Sequence, residues 1–432
     1  MSSSVSSHTS SVVPIARKAL VYCVSMGAEA AIAAALLPVL TGHLSPEEYG
    51  IWVLFVALFT FARPVISLML PDALRMNFFQ LSEEQMRNSL SAAISVPTFV
   101  FLVTLAAVQL GSSFLGGLLA FPGDSLWIVL LVAYLHGLFY TFLALMQFKE
   151  RHSLFLIIQL VQAFFAITLA LWFVHLGLSW FGAAAARCIA LIIADVCGLI
   201  WICRSFGNPF TLRVPRATMR ELIRIGTSFL PVGICAVLVP LSNRVVIAHL
   251  VGPQETGYFG IAALFALAIT IVVQGFIFAW QPLLFRSLQT GRQEKEQKFH
   301  SFSLAFYAAL PAVAVLILGA ALLIGPLLVK YDLRHITPYL VSLCVASCMQ
   351  GYYLHNHTWL HALKQLRVLS WTALLIMPVN FLLSIALVQS YGGVGAAWAT
   401  AVTYALATAG TGVRLLRKET PPVMGGIVLE RG

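Results

Sequence analysis

Successive runs of about twenty apolar residues limit what this chain can fold into more than any other feature. A helix needs about that length to cross the hydrocarbon core of a bilayer. The first set of runs lies near 19 to 41, 51 to 71, 90 to 110, 126 to 147, 153 to 174 and 179 to 203. A second set lies near 226 to 250, 257 to 281, 301 to 325, 336 to 356, 367 to 388 and 394 to 414. The expected fold is an all-α polytopic membrane protein with twelve transmembrane helices. Composition agrees, since 60% of residues are hydrophobic and 10% charged, against roughly 25% charged in soluble domains. A soluble multidomain protein would need polar surface that this chain lacks.

The formal net charge of +10 raises the question of nucleic acid, which binds to clustered basic patches backed by a recognisable module. Here the basic residues are scattered through short loops, the pattern that orients membrane proteins, so no nucleic-acid partner is expected. With the amino terminus inside, only Lys330 and Arg334 fall in outside loops. Arg63, Arg187 and Arg244 lie within spans, and the remaining Lys and Arg fall on the inside. A missed helix would scramble that bias, so both termini are expected in the cytoplasm. The first span is too long for a signal-peptide core and is expected to be retained. Cys23, Cys188, Cys197, Cys203, Cys235, Cys344 and Cys348 lie in or at the ends of apolar segments without zinc-type spacing, which argues for packing residues rather than a disulfide framework or a metal site.

The chain repeats itself. His43-Leu44-Ser45-Pro46-Glu47-Glu48-Tyr49-Gly50 closes the first span, and His249-Leu250-Val251-Gly252-Pro253-Gln254-Glu255-Thr256-Gly257 closes the seventh, about 206 residues later. Gly182-Ala183-Ala184-Ala185 opens span six and Gly395-Ala396-Ala397-Trp398 opens span twelve; Ala144-Leu145-Met146-Gln147 and Ala362-Leu363-Lys364-Gln365 form a third matched pair. Six spans per repeat is an even number, so the halves share one orientation and the expected symmetry is a pseudo-two-fold along the membrane normal. The expected division is a disordered cytoplasmic segment 1–18, a six-helix lobe 19–203, a basic interfacial linker 204–225, a second lobe 226–414 and a cytoplasmic tail 415–432. The linker carries an amphipathic stretch, MRELIRIG, suited to the headgroup region.

Ionisable groups inside hydrocarbon cost several kcal/mol unless paired or wetted, so each is a functional candidate. They are Glu29, Arg63, His136, Arg187, Asp195 and Arg244. Arginines on a cavity wall suit an anionic substrate, because guanidinium stays charged and grips phosphate bidentately; Arg63, Arg187 and Arg244 are the candidate substrate-binding residues. Glu29 and Asp195 are the candidate proton or ion carriers, although pairing with Arg63 and Arg187 between helices would serve a structural end equally well. His136, Asn243, Gln274 and Asn380 are candidate polar lining residues, with helix-to-helix hydrogen bonding as the alternative for each. His355, His357 and His361 lack an accompanying carboxylate and read as interfacial histidines, so no metal is expected. Prolines within or near spans, such as Pro64, Pro231, Pro240 and Pro311, mark kinks. No long outside loop houses a polymerase or transferase site and no Gly-Lys phosphate loop appears, so neither an enzyme, nor a cofactor, nor an ATPase domain is expected.

The run from Leu222 to Pro282, with HLSPEEYGIW after span one and YGGVGAAWAT at span twelve, resembles the polysaccharide transporters, the oligosaccharide flippases of the multidrug/oligosaccharidyl-lipid/polysaccharide exporter superfamily. The resemblance covers nearly the whole chain. It implies a bacterial inner-membrane flippase that moves a polyprenyl-pyrophosphate-linked oligosaccharide between leaflets for O-antigen (lipopolysaccharide) or exopolysaccharide assembly, within a phospholipid membrane and alongside a glycan polymerase and a chain-length regulator. The Asp-Arg pair of that family's seventh span stands here as Asn243-Arg244, so the arginine carries over and the acid does not. Twelve spans also separate the chain from the lipid II flippase branch. The rivals are a cation-coupled drug exporter of the same superfamily, which would need an acid-rich cavity; a membrane-bound glycan polymerase or acyltransferase, against which the short loops speak; and a membrane scaffold, for which so many intramembrane charges would be costly.

Overall fold

The structure is a computed structural model that describes residues 32–77, 81–149, 151–207, 214–290, 293–363 and 365–416. Every regular element in them is helical. In chain order these are α1 (Ile32–His43), α2 (Pro46–Ser67), α3 (Leu70–Asn77), α4 (Glu83–Leu110), α5 (Ser112–Leu119), α6 (Leu126–Phe148), α7 (His152–His175), α8 (Ser179–Phe206), α9 (Arg216–Leu250), α10 (Pro253–Thr290), α11 (Gln293–Leu328), α12 (Leu333–Ala362), α13 (Leu366–Tyr391) and α14 (Val394–Leu416).

Local chemistry sets several helix starts. At α2, Ser45 Oγ accepts from the Glu48 amide at 3.2 Å while the Ser45 amide donates to Glu48 at 2.8 Å, with Pro46 in the first position. That reciprocal cap satisfies amides that would otherwise be orphaned at the membrane surface. Ser82 and Gln85 repeat the device at α4, and Asp332 caps α12 through the Arg334 amide. Short helices α3 and α5 occupy connections that the sequence pattern leaves as loops.

Eight described helices are long and apolar enough to cross a membrane, or nine if the two arms of α9 form one span: Arg216–Cys235 and Val237–Leu250 meet at a 43° bend. Pro231 and Pro240 flank that bend, and each removes a backbone donor from the helix. Helices α12 and α14 are long but less apolar, because their polar groups are used on each other. Asn356 Nδ2 donates to Thr411 Oγ1 and to the Thr408 carbonyl, both at 3.2 Å, and Thr408 donates to the Met349 carbonyl. Large apolar side chains such as Phe114, Leu316 and Leu323 face outward, as a lipid-facing surface requires. The positive stretch expected to form a linker is partly helical: Arg216, Arg220 and Arg224 are exposed on the first turns of α9 while Leu222 is buried.

Helices α6, α7 and α8 pack on one another, α6 and α8 also on α2; α12 packs with α10, α13 and α14, which also pack on α9. Helix α2 joins the two groups through α9 and α10. At the α10 junction the two matched turns of the sequence meet. Gly50 lies against the Pro253 carbonyl, and a Cβ on Gly257 would stand 2.8 Å from the Pro46 carbonyl and 3.2 Å from the Gly50 amide. The backbones can approach this closely only because both positions are glycine. At the same end, Tyr331 donates to the Leu44 carbonyl at 2.8 Å, Thr41 donates to the Leu328 carbonyl at 3.3 Å, and a His249 ring nitrogen lies 2.8 Å from the Leu118 carbonyl.

Candidate functional site

Helix α2 carries the site. Val56, Thr60 and Arg63 follow at i, i+4 and i+7, which puts them on one stripe of the helix. Across from them Val237, Pro240, Leu241 and Arg244 form a stripe of α9. Between the helices lies a cavity of about 150 Å³ walled by Val56, Ala57, Thr60, Val237, Pro240, Leu241 and Arg244. Pro64 lacks an N–H, so the Thr60 carbonyl on this wall has no donor one turn ahead of it.

Arg244 is the one charged residue of the wall. Its Nη1 donates to the Pro240 carbonyl at 2.8 Å, and Cζ stands 5.7 Å from the centroid of the Phe259 ring. Arg63 continues the α2 stripe beyond Thr60, with Cζ 4.6 Å from the Tyr140 centroid. Arg187 on α8 stands 4.9 Å from the Phe59 centroid. His136 links the two stacks, 5.0 Å from Tyr140 and 5.7 Å from Phe59. The arginines of α2 and α8 thus share one aromatic cluster held by Phe59 and Arg63 at i, i+4 and by His136 and Tyr140 at i, i+4. Each stack contributes roughly 0.5–2 kcal/mol and fixes the guanidinium plane. Among the described residues, neither Arg63 nor Arg244 has a carboxylate within ion-pair distance.

Asp195 is 7% exposed on α8, and among the described residues neither carboxylate oxygen has a hydrogen-bond partner. It precedes by three residues Gly198, which packs against the Phe142 ring of α6. The structural pairing of Asp195 with Arg187 is therefore not formed. Glu29 lies outside the described residues.

Asn243 and Asn380 are placed in a buried knot rather than on the cavity wall. Ser384 donates to Asn243 Oδ1 at 2.8 Å, Asn243 Nδ2 donates to Thr400 Oγ1 at 2.8 Å, and Asn380 Nδ2 donates to the same Thr400 oxygen at 3.2 Å. The knot ties α9, α13 and α14. His136 is likewise buried, and Gln274 is exposed on α10 away from the cavity. His355 stacks on Phe306 at 5.1 Å. Sequence reasoning missed Phe59, Thr60 and Tyr140; the signal that could have found them is helical spacing from an intramembrane charge, an aromatic four residues before Arg63 and another four after His136.

Residues 15–288 match the family described as polysaccharide biosynthesis protein. A probable multidrug resistance protein NorM of Geobacillus kaustophilus (strain HTA426) is 30% identical over 143 residues, which cover 30% of this chain and 31% of that protein. The chain thus aligns with about a third of that relative's length. Among solved structures, lipid II flippase MurJ in an inward closed conformation superposes with a TM-score of 0.70 at 13% identity, covering 91% of this chain and 87% of that one. An inward-facing multidrug resistance MATE family transporter of the MOP superfamily gives a TM-score of 0.69 at 12% identity, covering 89% and 93%. At such identities the likeness establishes the fold alone, the one that these two transporters have.

Proposed function

Because the chain belongs to the polysaccharide biosynthesis protein family, we propose that it is a flippase of the bacterial inner membrane that carries a polyprenyl-pyrophosphate-linked oligosaccharide to the periplasmic leaflet for O-antigen or exopolysaccharide assembly. The observation that carries this reading is the α2–α9 cavity, whose one charged wall residue is Arg244 and whose α2 stripe leads on to Arg63. A pyrophosphate is the part of such a lipid that a guanidinium recognises best, and the polyprenyl tail has no need to leave the bilayer. Arg187 adds a third positive group through the shared aromatic cluster. The twelve runs then form two six-helix lobes, 19–203 and 226–414, with both termini in the cytoplasm, and the cavity between α2 and α9 lies between the lobes. Rocking of one lobe against the other exposes it to each side in turn. Asp195, whose two carboxylate oxygens have no hydrogen-bond partner among the described residues, and Glu29 are the groups proposed to carry protons that reset the cycle.

The drug-exporter reading is favoured by the NorM match. Against it, among the described residues no carboxylate lines the α2–α9 cavity, and a cationic drug would meet Arg244 there. Replacing Arg63, Arg187 and Arg244 singly with Ala, at matched expression, tests both. We expect cell-surface polysaccharide to fall about tenfold or more in Arg244→Ala, the scale of about 1.4 kcal/mol of lost binding, and dye efflux to stay unchanged. Wild-type polysaccharide in all three variants would sink the proposal, and lost dye efflux would favour the exporter.

A further inference from the structure

The α2–α3 corner is built under strain. Leu68 and Met69 are consecutive non-glycine residues with left-handed backbones, φ 48° and 54°. Side chains rarely adopt that region, because Cβ approaches the following carbonyl, and two in succession persist only where surrounding contacts hold them. The contacts come from a notch on α9 made by two glycines. Gly226 lies against the Leu68 carbonyl, and a Cβ there would stand 2.9 Å from the Leu70 side chain. A Cβ on Gly233 would stand 2.9 Å from Met69 Sδ and 3.5 Å from Pro64. Gly226 and Gly233 are seven residues apart, so they share one face of α9, and Val237, Pro240 and Arg244 continue that face beyond the bend. Along these two helices the corner lies beyond the Thr60 and Val237 end of the α2–α9 cavity, and the Gly50–Pro253 junction lies beyond its other end.

We propose that the Leu68-Met69 corner is a spring-loaded gate. Docked in the glycine notch it closes the cavity from the α3 side; when α9 withdraws, the two residues relax to right-handed backbone, α2 and α3 straighten, and the cavity opens toward that side. Pro64, one turn before the corner, weakens the end of α2 where this bending occurs. The role as a gate for substrate rests on the transport reading above, whereas the closure is a property of the chain and can be measured without substrate.

The test uses full-length protein with its native cysteines replaced by Ala and Thr60→Cys as reporter, labelled by a membrane-impermeant charged methanethiosulfonate in everted vesicles and in intact cells. Gly226→Ala and Gly233→Ala block the notch and should speed labelling in everted vesicles about fivefold or more. Leu68→Gly and Met69→Gly make the left-handed backbone cost-free, so labelling should slow by a similar factor. Gly275→Ala, in open space on α10, should match the parent. Parental rates in the notch and corner variants overturn the gate. If the notch variants do not accumulate, the corner variants decide alone: slowed labelling supports it and an unchanged rate overturns it. Altered labelling together with unchanged polysaccharide in the Arg→Ala series would leave the gate standing and sink only the transport reading.

Discussion

Asn243 stands where the resembled family places an acid, and its neighbours explain why an amide suits this chain. Its oxygen accepts from Ser384 and its nitrogen donates to Thr400, whose hydroxyl is already committed as a donor to the Ala396 carbonyl. An aspartate here would keep the first bond but set an oxygen against an oxygen at the second, at a position 3% exposed. Asn243→Asp should therefore destabilise the protein by about 2–3 kcal/mol, read as a lower thermal midpoint in detergent; a midpoint equal to the parent would show that the knot tolerates charge. Asp195 presents the opposite case. It has no hydrogen-bond partner among the described residues, so Asp195→Asn should fold with a parental midpoint while slowing the proton-driven transport proposed above. Parental transport across the pH range would remove Asp195 from the cycle. The presence of these charges could be read from the sequence, because a charge in a long apolar run stands out. Their partners could not, since Tyr140 reaches Arg63 from a helix about eighty residues away in the chain.

Helices were the most legible elements, for a local reason. In an apolar run the backbone must satisfy its own hydrogen bonds, and Ser-Pro-Glu-Glu at 45–48 announces the start of α2 without help from the rest of the fold. The short helices α3 and α5 were not legible, because each depends on where the chain turns. The bend in α9 was only half legible: Pro231 and Pro240 mark it, but the angle depends on what packs against each arm. Glycines likewise mean different things in different helices. Gly50→Ala drives a methyl into the Pro253 carbonyl, a backbone atom that cannot rotate away, so a loss of about 1–3 kcal/mol is expected. Gly275→Ala meets open space and should gain up to about 1 kcal/mol from helix propensity alone. Comparing the two detergent midpoints checks the pair, and equal shifts would contradict the close packing of α2 on α10.

At the scale of the molecule, the matched turns at 46–50 and 253–257 pack against each other, Gly50 on Pro253 and Gly257 on Pro46. This end is closed further by bonds from Thr41 and Tyr331. A transporter that opens here must break all of these contacts together, so Thr41→Cys with Lys330→Cys should form a disulfide that stops the proposed polysaccharide export until a reductant is added. Export that continues with the disulfide formed would show that this end stays shut throughout the cycle. By itself the sequence determined that the chain is helical and suited to a membrane, where its eight described membrane-length apolar helices fall, and which few charges lie in the apolar runs, because each of these follows from local hydropathy and spacing. The tertiary structure alone decided that Arg244 faces a cavity while its neighbour Asn243 closes a buried knot. Adjacent residues on a helix point about 100° apart, and which direction meets a gap and which meets another helix is set by packing between segments far apart in the chain.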